Sequence, residues 1–127
     1  MLVEPPDILV IDDDVIMQRL VMAVLTRTGY QVRVASDVTR GLALIEEHMP
    51  NLVLCDMAMP VLTGMDFLRT CRASEKLCGL CVVIISSVSD EKNVREALDL
   101  GAVAHISKPF SQAQLLQVVA NNLGVRF

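Results

Sequence analysis

The sequence predicts an α/β domain built on one five-stranded parallel sheet, doubly wound, with helices on both faces. Three observations carry this expectation. Short β-branched runs alternate five times with longer helical patterns, the order that builds a parallel sheet. Most of those runs are apolar throughout rather than alternating, so four strands read as covered on both sides. The length of 127 residues, 53% of them apolar, suits one domain with one full core. Each crossover is expected to be right-handed.

The elements follow in chain order. Residues 8–11 (ILVI) form the first strand and run straight into Asp12, Asp13 and Asp14. From about residue 15 to 28 the pattern is helical, and Gly29 stands where a C-terminal cap glycine belongs. Residues 31–35 alternate like a strand with one wetter face. Asp37 is placed to cap a helix through His48, stopped by Pro50. Residues 52–55 are the third strand, ending in Asp56. A loop through Pro60 and Gly64 leads to a helix of about 65–73. Residues 81–85 are the fourth strand, followed by Ser86 and Ser87. Ser89 or Asp90 caps a helix to Leu100, ended by Gly101. Residues 105–107 form a short fifth strand before Lys108 and Pro109, and Ser111 caps a last helix ending near Leu123 and Gly124.

Composition excludes several functions. Fifteen acidic residues outweigh 11 basic ones, the net charge is −4, and the aromatics are three Phe and one Tyr. That is neither a nucleic-acid footprint nor a base-stacking platform, and no direct nucleic-acid binding is expected. No run approaches the roughly 18 apolar residues of a membrane helix. The first residues, MLVEPP, lack a signal peptide's basic region and cleavage site. The expectation is a cytoplasmic protein off the membrane, a single domain over 1–127 with its core at about 7–123 and no output domain. Cys55, Cys71, Cys78 and Cys81 read as reduced thiols packed as small hydrophobes; the C-x-x-C of the last two has no redox or zinc context around it.

In sheets of this kind, ligands bind beyond the carboxyl ends of the strands. Those ends carry Asp12 and Asp13, then Asp56, Ser86 and Lys108. No glycine-rich phosphate loop follows the first strand; carboxylates stand in its place. Three converging carboxylates repel one another unless a cation neutralises them, and an all-oxygen donor set suits Mg²⁺ (or Mn²⁺). The Ser86 hydroxyl and Lys108 ammonium add donors for phosphoryl oxygens around an attacking carboxylate. The implied chemistry is phosphoryl transfer onto an aspartate. One aspartate after a strand is usually a cap, as Asp14 is read to be. Four strand ends carrying this set in this order are not explained by capping.

The chain resembles the receiver domain of two-component response regulators, of the chemotaxis-regulator type, from Ile8 to about Leu123. The resemblance rests on ILVIDDD at 8–14, LVLCDMAMPVLTG at 52–64, VVIISS at 82–87 and HISKPF at 105–110. It implies a flavodoxin-like (βα)5 fold and a signalling switch rather than a turnover enzyme. It implies Asp56 as phosphoacceptor, charged by a sensor histidine kinase or a histidine phosphotransfer protein. Asp13 and Asp56 would bind Mg²⁺ directly, Asp12 largely through water, and the backbone carbonyl of Ala58 would be a further ligand. Lys108 would pair with one phosphoryl oxygen and Ser86 would move to bond another. The Lys108–Pro109 bond would be cis. His105 stands at a second switch position that usually holds Tyr or Phe, a departure from the family pattern. A downstream output domain or effector protein, and a homodimer, are further implied partners. The competing readings are a Mg²⁺-dependent phosphohydrolase working through an aspartyl phosphate, and a non-phosphorylated scaffold.

Side chains near the acceptor tune the expectation. Ala58 and Val88 carry no acid or amide to orient an attacking water, which predicts a long-lived aspartyl phosphate. Ser87 is small and leaves room for small donors such as acetyl phosphate. His48 reads as a solvated residue. An apolar surplus remains on the first helix (Ile16, Met17, Leu20, Val21, Met22, Val24, Leu25) and the last (Leu115, Leu116, Val118, Val119, Leu123), which predicts partner surfaces on both.

Overall fold

In the computed structural model, which describes residues 4–87 and 89–123, five parallel strands lie in the order β2-β1-β3-β4-β5. They are β1 (Asp7–Ile11), β2 (Gln31–Ala35), β3 (Leu52–Asp56), β4 (Val82–Ser87) and β5 (Ala104–Lys108). The helices are α1 (Val15–Arg27), α2 (Val38–Glu47), α3 (Gly64–Arg72), α4 (Glu91–Asp99) and α5 (Gln112–Asn122). From β1 the chain goes out to β2 on one side and returns to β3 on the other. The crevice between the carboxyl ends of β1 and β3 is therefore the point where strand order reverses.

The inner strands explain the apolar runs. Alternate residues of one strand enter different clusters: Leu9, Ile11, Val53, Cys55 and Ile84 on one face, Ile8, Val10, Leu54, Val83 and Ile85 on the other. The first face is covered by residues of α2, α3 and α4, the second by residues of α1 and α5. Three strands rather than the expected four are buried on both faces. β5 closes one edge of the sheet, and His105 and Ser107 there are exposed.

Local chemistry sets the helix ends. The Asp14 carboxylate accepts from the Ile16 and Met17 amides, and Asp37 accepts from Arg40 N–H. Thr63 and Asp66 form a reciprocal cap on α3, as Ser111 and Gln114 do on α5. α4 differs from expectation. Asp90 precedes it but makes no side-chain cap bond; its carboxylate accepts from the Asn93 side chain at 2.6 Å, and Ser89 Oγ faces Ser87 Oγ at 3.3 Å. The far end of α4 is held by Arg72, whose guanidinium donates to the carbonyls of Leu100 and Gly101 at 2.7 and 2.8 Å. At the opposite end of the sheet, buried Asp7 extends β1 by one residue because Arg33 neutralises it.

The apolar surplus divides unevenly. On α1, Ile16 is 80% exposed and Val15 and Leu20 are exposed with it, so that helix keeps an open apolar face. On α5, Leu115 and Val119 are buried, and Leu116, Val118 and Leu123 pack half-buried against the same cluster. Much of the α5 stripe thus packs on the sheet and its neighbours, with Leu116, Val118 and Leu123 half-buried at its margin. Gly124 lies outside the described residues. Cys55 and Cys71 are buried, and burial lifts the Cys71 thiol to about 11. Cys78 is exposed rather than packed. Among the described residues, no helix is long and apolar enough to cross a membrane.

Candidate functional site

The switch-point crevice is where the predicted residues meet. One carboxylate oxygen from each of Asp12, Asp13 and Asp56 lies within 4.8 Å of the others. Asp12 and Asp56 are buried at the ends of β1 and β3, and Asp13 is exposed at the rim. Lys108 reaches in from the end of β5 and places Nζ 3.2 Å from Asp56 Oδ1. Ser86 is buried one strand away, inside β4 rather than after it, because the parallel ladder continues to the pairs Ser86–Ser107 and Ser87–Lys108.

Burial governs the charges. It pushes the Asp12 carboxyl above the usual range; the Asp14 N–H, 2.9 Å from Oδ1, pulls it back, and the Asp56 charge pushes it further up. Burial likewise raises Asp56. The Lys108 ammonium opposes this, the Asp13 charge adds to it, and the Ala58 N–H helps hold the charged form. Among the described residues, two buried side-chain polar atoms have no hydrogen-bond partner, Asp12 Oδ2 and Ser86 Oγ. Native proteins seldom leave such atoms unsatisfied, so each marks a place for a group from outside the chain. A hard divalent cation fits the first, since all donors in the cluster are oxygens and their negative charges repel. A phosphoryl oxygen fits the second.

The loop from β3 to α3 presents Asp56. Met57 N–H donates to Ile85 O at 2.9 Å, and Gly64 N–H donates to Met57 O at 3.1 Å. A side chain at Gly64 would bring its Cβ within 2.6 Å of the Asp56 carbonyl oxygen, so only glycine lets α3 start against the backbone of Asp56. Gly64→Ala should therefore cost about 1–3 kcal/mol in chemical denaturation. It should also weaken divalent-cation binding, because relief of the clash moves Asp56. Between them, Leu62 N–H donates to Pro60 O at 2.8 Å around Val61, whose φ is +67°. This is a strained turn for a β-branched residue, and it holds Val61 97% exposed beside the site. Nothing in the sequence signals it.

His105 is exposed on β5 and lines a cleft of about 490 Å³ with Ser87, Glu91, Val94, Arg95, Leu98 and Ser107. Ala58 is exposed two residues beyond Asp56, the Lys108–Pro109 bond is cis, and Val88 lies outside the described residues. Sequence reasoning passed over two contributors. The Thr63–Asp66 spacing was a legible capping signature. Buried Gln18, on α1, carried no signal of its own.

Comparison with known proteins agrees with this geometry. The family model described as the response regulator receiver domain matches residues 8–120. The DNA-binding response regulator MtrA of Mycobacterium tuberculosis is 34% identical over 116 residues, 91% of this chain but 50% of MtrA. The chain thus spans about half the length of that relative. The two-component response regulator ORR12 of Oryza sativa subsp. japonica is 34% identical over 115 residues, covering 90% of this chain and 95% of ORR12. The crystal structure of the receiver domain of NtrX from Brucella abortus superposes with a TM-score of 0.88 at 32% identity, over 94% of this chain and 100% of that one. Matched along nearly its whole length in both sequence and fold, the chain belongs to the response regulator receiver domain family of two-component signalling.

Proposed function

We propose that this domain is a phosphorylation switch whose acceptor is Asp56, charged by the phosphohistidine of a sensor histidine kinase or a histidine phosphotransfer protein. The observation that carries this is the pair of orphaned buried atoms, Asp12 Oδ2 and Ser86 Oγ, flanking the Asp56–Lys108 ion pair. The proposed cation is Mg²⁺, held by Asp12, Asp13, Asp56 and the Ala58 carbonyl; it supplies charge neutralisation at the transferring phosphoryl group.

The residues of the chain divide the work. An Asp56 carboxylate oxygen attacks phosphorus, the phosphorus–nitrogen bond breaks, and the donor imidazole keeps the electron pair. Lys108 pairs with Asp56 beforehand and then with a phosphoryl oxygen. Ser86 Oγ gains the partner it lacks, which draws in the end of β4. The product adds about −1.5 to −2 charges at a buried position, enough to reset neighbouring contacts. The movement is transmitted through the cleft that His105 lines between α4 and β5, with His105 as second switch residue. The domain acts on an attached output domain or a separate effector protein, in the cytoplasm, as a monomer or a homodimer.

Ala58 leaves the water beside Asp56 unoriented. The aspartyl phosphate should be long-lived, and Ala58→Asn should speed its loss by between about tenfold and about 10²-fold, read by phosphate release after donor removal. Stoichiometry separates the switch from the phosphohydrolase. Acetyl phosphate with Mg²⁺ should load one phosphoryl group per chain on intact-mass analysis, with none in excess EDTA. Sustained turnover of p-nitrophenyl phosphate would instead favour the hydrolase.

A further inference from the structure

The buried polar side chains among the described residues are Asp7, Asp12, Gln18, Asp56 and Ser86. Asp7 is answered by Arg33 at the far end of the sheet, and three belong to the acidic site. Gln18 is neither in that ion pair nor one of the site's carboxylate or hydroxyl groups. It is 8% exposed on α1, where burying an amide is costly unless its bonds are met. Its Nε2 donates to the Asp12 carbonyl and, at 3.0 Å, to Ser36 Oγ, with Ala35 O at 3.5 Å.

These contacts complete the fixing of Asp12. Its N–H donates to Ala35 O at 3.0 Å, and its Oδ1 accepts from Asp14 N–H at 2.9 Å. With its carbonyl held by Gln18, the orphaned Oδ2 is the one polar atom of Asp12 left for an outside group. The Asp12 carbonyl is also one end of the peptide unit leading to Asp13, so holding it fixes the plane from which the Asp13 carboxylate projects. Gln18 further ties this turn to the β2–α2 turn through Ser36.

We propose that Gln18 is a positioning residue for the acidic site, setting cation affinity through the Asp12 carbonyl and the orientation of the 12–13 peptide. The inference deepens the reading of the site as Mg²⁺-binding and rests on it. Partners that orient metal ligands are typically worth about 10–100-fold in affinity. Gln18→Leu keeps a buried side chain of comparable size and removes the donor.

The test is Mg²⁺ titration by calorimetry on wild type and Gln18→Leu, with metal-free melting curves of both. A dissociation constant raised about tenfold or more in Gln18→Leu, beyond any change in the metal-free melting curve, is expected. Gln18→His, which keeps an N–H donor, should recover part of the loss. Wild-type affinity in a folded Gln18→Leu overturns the inference and leaves Gln18 a packing residue. On the wild type alone, the Gln18 side-chain amide resonances should shift as Mg²⁺ is added; unmoved resonances at saturation overturn it even if the variants do not fold. Absence of Mg²⁺ binding by wild type would instead overturn the site reading itself.

Discussion

Asp56→Asn should abolish phosphorylation while making the metal-free protein more stable at pH 7. The first effect follows from removing the nucleophile and should exceed about 10³-fold in rate. The second follows from burial. The Asp56 carboxyl is raised above its ordinary value of 3.8 because desolvation outweighs the help of Lys108. A carboxyl raised in the folded state binds its proton more tightly there than in the unfolded chain. Its contribution is present below the unfolded value and is lost as pH rises through the folded value, so at pH 7 the wild type bears the full cost. Asparagine has no proton to lose. Lys108 is left unpaired, but its side chain is 30% exposed and stays hydrated. The variant's gain at pH 7 is the cost of ionising the buried carboxyl in the wild type. It should vanish below pH 3.8. Melting curves of both proteins across pH, without metal, check it; a variant less stable than wild type at pH 7 contradicts it. Saturating Mg²⁺ should reverse the order, because ligand binding stabilises the protein that binds it.

Phe67→Ala should cost about 3–5 kcal/mol, a large share of the roughly 5–15 kcal/mol available to a domain. Phe67 is the largest fully buried side chain among the described residues and sits in the cluster formed by α2, α3, α4 and one face of the sheet. Its loss opens a cavity under α3, the helix whose first residue rests against the acceptor's backbone. Urea denaturation at pH 7 measures it. The contrast is Ile16→Ala on the open face of α1. Because Ile16 is already in water, that change should fall within about 0.5 kcal/mol. A large loss at Ile16 would mean that its apolar face serves the fold and not a partner.

The sequence made the architecture legible because burial on both faces writes itself as unbroken apolar runs, and β1, β3 and β4 are such runs. It made the acidic cluster legible because the β1 and β3 runs lead into aspartates that topology carries to one crevice. What it hid depends on neighbours. An amide on an amphipathic helix looks like solvent-facing polarity, so Gln18 gave no sign of the carbonyl it holds. Two residues stood ready to cap α4, yet Asp90 and Ser89 are engaged by Asn93 and Ser87. How much of the α5 stripe the domain itself covers was not legible, because periodicity does not tell how far a sheet and an adjacent helix wrap around it. The positive φ of Val61 breaks local preference beside the acceptor, where no propensity rule would place it.

The most direct test of the switch is to find where the phosphoryl group goes. The protein is loaded with acetyl phosphate and Mg²⁺, the acyl phosphate is trapped by borohydride reduction, and its peptides are sequenced by mass spectrometry. The expected result is a single reduced position, Asp56, absent when Mg²⁺ is withheld. Reduction at Asp12 or Asp13, a phosphate ester retained on Ser86, or stable loading without a divalent cation would contradict the account.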